Sequence, residues 1–159
     1  MIRIGVDPGI RGAIAVVEEG KVLSVVTMPT VGEALQRTLN YEVLDDIVQF
    51  ASNQDRDIWW VVERVHSMPR QGVASTFTFG RLYGLVEGYV RQSGLGARFV
   101  TPYQWKSTAG LLKVPKNKTP DYCMELIPSS VPFLAKFRAV DKKVGAADAI
   151  LIARFGWNG

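Results

Sequence analysis

The chain has 159 residues, of which 47% are hydrophobic, and it carries a formal net charge of +4. This composition excludes a disordered chain, and the single cysteine, Cys123, and single histidine, His66, exclude a Cys-rich zinc site, an internal disulfide framework and a multi-histidine metal site. We therefore expect one domain over residues 1–159 whose chemistry depends on carboxylates, hydroxyls and backbone groups.

The first 28 residues predict a three-stranded antiparallel meander. Alternating apolar residues predict a first strand that ends at Asp7, and turn residues then separate it from strands over 13–17 and 22–28. Residues 29–40 show little periodicity, which predicts a loop with a short helical turn.

A helix is predicted over 41–51, with Asn40 as its N-cap, and it is followed by a strand. Residues 58–62 form a continuous apolar run, which is typical of a buried parallel strand, and this strand ends at Glu63. Strands that precede and follow helices in this way indicate an α/β domain with a mixed sheet.

Residues 72–92 predict a long helix in which Gly80, Gly84 and Gly88 recur every four residues and therefore share one face. Such a face predicts either tight packing on the domain's own sheet or a close helix–helix contact between two protomers. Phe77 and Phe79 on the same helix are expected in the core.

The remaining chain alternates short elements with basic loops. We expect a strand over 97–100, helices over 102–109, 120–126 and 145–155, and loops over 113–120 and 128–144.

Basic residues are concentrated in the second half of the chain. Residues 98–143 contain nine Lys or Arg against three Asp or Glu. This imbalance indicates a surface that faces a polyanion, although a solvated surface rich in lysine has the same composition. No apolar run approaches the ~20 residues that a membrane span needs, so we expect no membrane partner.

Three acidic residues occupy positions where a solvated acid is not expected. Asp7 and Glu63 close apolar strands, and Asp148 lies in an otherwise apolar helix. Buried carboxylates are costly unless they are paired or bind a cation. If the two strands are adjacent and parallel, a helix packed across their ends brings the three acids together, and oxygen-only ligands select Mg²⁺ or Mn²⁺.

Several short segments carry a family resemblance, in order, along almost the whole chain. They are Gly5-Val6-Asp7-Pro8-Gly9, Glu63-Arg64-Val65-His66-Ser67-Met68-Pro69, Phe77-Thr78-Phe79-Gly80, Val100-Thr101-Pro102 with Trp105-Lys106, and Ala147-Asp148-Ala149. This series resembles phage-type RuvC-like Holliday-junction resolvases of the RNase H-like superfamily. The resemblance implies an α/β fold with a mixed five-stranded sheet, in which an antiparallel meander continues into parallel strands, flanked by helices.

The resemblance also implies a function. Members are homodimeric endonucleases that nick a four-way DNA junction symmetrically with two Mg²⁺ or Mn²⁺ ions per active site. Carried over, Asp7 bridges both ions, Glu63 binds one and Asp148 binds the other. The setting implied is the cytoplasm of a bacterium or of a phage-infected cell.

One position departs from the family pattern. The family has an acid or a histidine three to five positions before the helix aspartate, where this chain has Lys143, Val144 and Gly145. The nearest acid, Asp141, reaches the site only if the chain is not helical before Gly145, because seven helical residues span about 10 Å. Otherwise the site has three acids plus waters, or the protein binds junctions with weakened or lost cleavage.

DNA contacts are expected from the basic half and from one loop. We expect phosphate contacts from four lysines and a role at the junction centre for three residues of the loop after Glu63. These residues are Lys106, Lys113, Lys116, Lys118, Met68, Arg70 and Gln71.

Overall fold

A five-stranded mixed sheet forms the centre of the computed structural model, which describes residues 1–33, 36–54, 56–65 and 72–157. Its strands are β1 (Ile2–Val6), β2 (Ala13–Glu18), β3 (Lys21–Thr27), β6 (Ile58–Glu63) and β7 (Gly96–Val100), in the order β3-β2-β1-β6-β7. The sheet predicted from the sequence is therefore confirmed. Residues 29–40 differ from the prediction, since β4 (Thr30–Val31) and β5 (Thr38–Leu39) pair as a small separate sheet.

The strand register determines where the acidic residues emerge. β1 runs antiparallel to β2 and parallel to β6, with Val6 opposite Val62. Asp7 and Glu63 therefore leave the sheet side by side at its carboxyl edge, as the sequence predicted for adjacent parallel strands. Because side chains alternate along a strand, both acids share the sheet face of Gly5 and Val61.

Helices cover both faces of the sheet. They are α1 (Tyr41–Ser52), α2 (Val73–Gln92), α3 (Pro102–Thr108), α4 (Thr119–Leu126), α5 (Val131–Leu134) and α6 (Val140–Phe155). One core packs α1 and α2 against Ile2, Ile4 and Val6 of β1, and the other packs α6 mainly against β2 and against Val61 of β6. Among the helices of the described ranges, none combines the length and the apolar character needed to cross a bilayer.

Helix α6 lies so close to the sheet that only a glycine fits at position 5, which brings Asp148 within reach of the strand ends. A Cβ atom on Gly5 would collide with the carbonyl oxygen of Ala149 and with Ala153. The residues of α6 that face the sheet here are alanines, so the helix backbone packs directly against the backbone of β1. The position of Asp148 is thus fixed by a glycine in the strand that precedes Asp7.

The chain before Gly145 differs from the prediction. Helix α6 begins at Val140, five residues earlier than expected, and the supposed loop over 128–144 also contains a 3₁₀ turn (Pro128–Ser130) and α5. Apolar periodicity is weak at the start of α6 because Lys142 and Lys143 interrupt it. Val144 nevertheless lies in the interior, where packing stabilises a helical turn that the sequence pattern did not indicate.

The glycine face of α2 does not pack on the domain's own sheet, so that interpretation is wrong. Gly80, Gly84 and Gly88 are exposed, and no described atom would lie within 4 Å of a Cβ added at any of them. The buried face of α2 consists of Leu82, Val86 and Val90. Phe77, expected in the core, is 64% exposed on this helix.

Candidate active site

The three predicted acids line one cleft. It has a volume of about 1210 Å³ and is bounded by the end of β1, the end of β6, α3 and the first half of α6. Asp7 follows β1, Glu63 ends β6 and Asp148 projects from α6, so each acid reaches the cleft from a different part of the chain. The three acids are far apart in sequence, but they meet in the cleft because the strands are parallel neighbours and α6 crosses their ends.

Asp148 has the clearest sign of a missing partner. The residue is 6% exposed, and within the described residues its Oδ1 atom finds no hydrogen-bond donor. By contrast, Asp7 Oδ1 accepts from the Gly9 amide at 3.3 Å. A buried carboxylate oxygen without a donor is costly in an apolar protein and is compatible with a cation ligand.

Burial and mutual repulsion both act on the acids. Burial raises the pKa of Asp7, and burial followed by the charge of Asp7 raises the pKa of Glu63. Burial, then the charges of Asp7 and Glu63, raise the pKa of Asp148 to about 7. Asp7 is thus the acid whose charge acts most strongly on each of the other two, so a positive charge near Asp7 relieves both repulsions.

Two of the four predicted lysines belong to the cleft. Lys106 on α3 and Lys116 in a second 3₁₀ turn (Lys116–Lys118) line it, and their charges lower the pKa values of the acids. Lys113 and Lys118 are exposed and lie outside the residues that line it, and Lys118 Nζ is 3.8 Å from an Asp121 carboxylate oxygen. The cleft therefore combines negative charge at its base with positive charge on its wall.

Oxygen atoms are the donors that the acids offer to a metal ion. Among the described residues, no group of three or more His, Cys, Asp or Glu side chains is arranged to hold one ion. An ion shared by a pair of carboxylates needs no such group, since Mg²⁺ usually retains several waters. The unpartnered Asp148 Oδ1 and the oxygen-only donors fit a hard divalent cation of this kind.

The family resemblance implies a fourth acid near positions 144 and 145, where this chain has valine and glycine. Val144, one turn before Asp148, is 4% exposed and lines the cleft. Gly145 packs so tightly that a Cβ atom there would collide with the carbonyl oxygen of Arg11. Of the two positions, 144 already carries a side chain that lines the cleft, whereas 145 has no space for one.

Asp141 does not meet the condition under which the sequence placed it in the catalytic site. It lies in the first turn of α6, two helical turns from Asp148, and its carboxylate pairs with Arg11 Nη1 at 3.1 Å. It nevertheless lines the same cleft. The structure thus pairs Asp141 with Arg11 rather than grouping it with the three acids.

Four further residues of the cleft or its wall were not identified from the sequence. Trp105 donates a hydrogen bond to Glu63, Arg11 and Asn117 line the cleft, and Tyr103 is 68% exposed beside it. A buried indole N–H needs a partner, which is the one signal that could have indicated Trp105. Met68, Arg70 and Gln71, predicted to contact DNA, lie outside the described residues, as does His66.

The order of the strands, with an antiparallel meander joined to two parallel strands and helices on both faces, defines an RNase H-like α/β fold. Within that class the chain has the fold of RuvC. A Thermus thermophilus RuvC structure in complex with a Holliday junction substrate matches with a TM-score of 0.60 and 18% identity, covering 96% of this chain and 90% of that one.

A second structure of Thermus thermophilus RuvC matches with a TM-score of 0.57 and 18% identity, covering 98% of this chain and 97% of that one. No protein-family model matches the sequence, and no curated protein matches it. The likeness is therefore one of fold over nearly the whole length of both chains.

Proposed function

We propose that this chain is a metal-dependent endonuclease that resolves four-way DNA junctions by paired, symmetric nicks. The observation that carries the proposal is the cleft in which three carboxylates and two lysines meet, within the fold of RuvC. Carboxylates suited to divalent ions, beside cations suited to a phosphate, are what phosphodiester hydrolysis needs. The four-way junction is carried over from the neighbour whose structure contains one.

The three acids would hold two divalent ions, Mg²⁺ or Mn²⁺. Asp7 is the candidate for the shared ligand because its charge acts on both other acids, which leaves Glu63 for one ion and Asp148 for the other. When bound, two such ions stabilise the charge that develops on the attacking and leaving oxygens of a phosphodiester.

The remaining groups act on the DNA backbone. Lys106 and Lys116 stand on the wall of the cleft and would bind the scissile phosphate or its neighbour, which orients the strand over the acids. Lys113 and Lys118, exposed on the same basic stretch, would contact phosphates farther along the arm. Selectivity for a junction would then depend on backbone shape and bendability rather than on base contacts alone.

A homodimer would supply the second cut, because a four-way junction and a twofold dimer share their symmetry. The exposed face of α2 is a suitable contact surface. Its three glycines permit close approach of a second helix, and Val73 and Phe77, which are 89% and 64% exposed, lie at its start.

Replacing Gly84 by leucine tests this surface. In an isolated chain the change adds a side chain into open space and removes a helix-weakening glycine worth about 1 kcal/mol, so the fold is expected to gain stability slightly. In the dimer it separates the two helices, and we expect sedimentation equilibrium to show a monomer. Gln49→Leu, an exposed site on α1, is the control and should leave the dimer intact.

Incubation with a synthetic four-way junction is the decisive experiment for the function. With Mg²⁺ or Mn²⁺ the products should be two nicked duplexes whose breaks are symmetrically placed, whereas a linear duplex of the same sequence stays intact. Absence of cleavage with both ions contradicts the nuclease, and equal cleavage of the linear duplex contradicts junction selectivity.

A second function, junction binding with weakened or lost cleavage, is favoured by Val144 alone, since an apolar residue lines the cleft where the family resemblance implies a fourth ligand. If three acids suffice, Val144→Asp should change the cleavage rate by less than about tenfold. Val144→Asn, which adds a polar group of the same size without the charge, is the control. A gain of about a hundredfold confined to the aspartate variant supports the binding function instead.

A further inference from the structure

Trp105 touches two groups of the candidate active site at once. Its indole Nε1 donates a hydrogen bond to Glu63 Oε1 at 2.8 Å. The ammonium nitrogen of Lys106 lies 5.2 Å from the centroid of the same indole ring, within the range of a cation–π contact. A single side chain therefore connects an acid and a lysine of the cleft.

The local sequence places Trp105 rigidly. Helix α3 begins directly after β7, and Thr101 caps it through a capping box with Gln104. Val100, the last residue of β7, pairs with Glu63 at the end of β6, so the first turn of α3 lies beside the strand that carries the acid. Trp105 is 0% exposed and belongs to the core that packs against α6.

A buried indole in this position restricts the carboxylate of Glu63. One oxygen, Oε1, is held by a directional hydrogen bond, which limits rotation of the carboxylate. Hydrogen bonds of this kind to metal ligands commonly change metal affinity by about 10–100-fold. Trp105 thus has the geometry of a residue that acts through another residue rather than on the substrate.

We propose that Trp105 is a positioning residue that orients Glu63 toward a divalent cation and holds Lys106 against its own indole ring. The proposal rests on the proposed metal-dependent function. It extends that function to a residue that contacts neither DNA nor metal. The hydrogen bond also opposes the rise in the pKa of Glu63 that burial and Asp7 cause.

Trp105→Phe tests the proposal, and Trp60→Phe is its matched control. Trp60 is 1% exposed, lies on the same strand as Glu63 and donates its indole hydrogen to Ser93 Oγ at 3.0 Å, so both variants lose one buried indole hydrogen bond. By calorimetric titration with Mn²⁺ alone, we expect Trp105→Phe to bind the ion about 10–100-fold more weakly and Trp60→Phe to bind it within about threefold of the wild type.

A spectroscopic measurement on the unmodified protein covers the case in which Trp105→Phe does not fold. The four tryptophans each give one indole N–H resonance after ¹⁵N labelling. We expect one of the four to shift markedly on addition of Mg²⁺, and the same resonance to move in Glu63→Gln, which identifies it as Trp105.

The outcomes separate this proposal from the proposed function. If the wild type binds both ions, but Trp105→Phe binds Mn²⁺ equally well or no indole resonance responds to Mg²⁺, the role of Trp105 is refuted while the nuclease stands. If the wild type itself binds neither ion, the metal-dependent function fails, and the role of Trp105 fails with it.

Discussion

Asp7→Asn is expected to reduce the rate of junction cleavage by about a thousandfold while leaving junction affinity within about threefold. The amide has the shape of the carboxylate but lacks the negative charge that would balance a shared ion. Because Asp7 acts on both Glu63 and Asp148, its loss affects both proposed ion positions at once. Binding should be retained because phosphate contacts dominate affinity, and the contacts that we propose come from the lysines.

The measurement is single-turnover cleavage of a labelled junction, paired with a binding titration in the presence of Ca²⁺. Asp46→Asn, a change of the same chemistry at an exposed site on α1, is the control and should cut at the wild-type rate. Undiminished cleavage by Asp7→Asn overturns the catalytic role that we assign to this acid.

Asp148→Asn is expected to stabilise the metal-free protein at pH 8 by roughly 4 kcal/mol. The pKa of Asp148 is raised from its usual value of 3.8 to about 7, chiefly by burial. The folded state therefore binds this proton more tightly than the unfolded state does. The stabilising contribution of this proton is complete below about pH 4 and is lost as the pH rises through 7.

Urea unfolding at pH 5 and pH 8 measures this effect. In metal-free buffer the wild type should be the less stable protein at pH 8, and the difference from Asp148→Asn should shrink toward pH 5. Mg²⁺ should restore stability to the wild type but not to the variant. A difference between the two proteins that does not change with pH contradicts the assignment, and Asp46→Asn again serves as the exposed control.

The sequence predicted the strand-end acids well because their positions depend on local patterns. The period of two in β1 and the apolar run in β6 fixed both strand ends, and parallel register then aligned Asp7 with Glu63. Asp148 was predicted because a charged residue in an apolar helix is costly without a partner. Each of these features can be identified within a few residues of sequence.

What the sequence did not indicate depends on which neighbour an element meets. Helix α2 carries two sets of residues spaced by four, one with Gly80, Gly84 and Gly88 and one with Leu82, Val86 and Val90. Spacing defines both faces, but only tertiary packing decides which one meets the sheet. The bond between Trp105 and Glu63 was missed for the same reason, since it joins residues that are 42 positions apart.

The close packing of Gly145 against Arg11 has a consequence for how this protein can diverge. Arg11 belongs to the same turn as Gly9, whose amide holds Asp7. A mutation that introduced histidine or an acid at 145 would push this turn outward and disturb Asp7 before it could add a ligand. Substitutions at 145 are therefore accessible only after a compensating change in the turn.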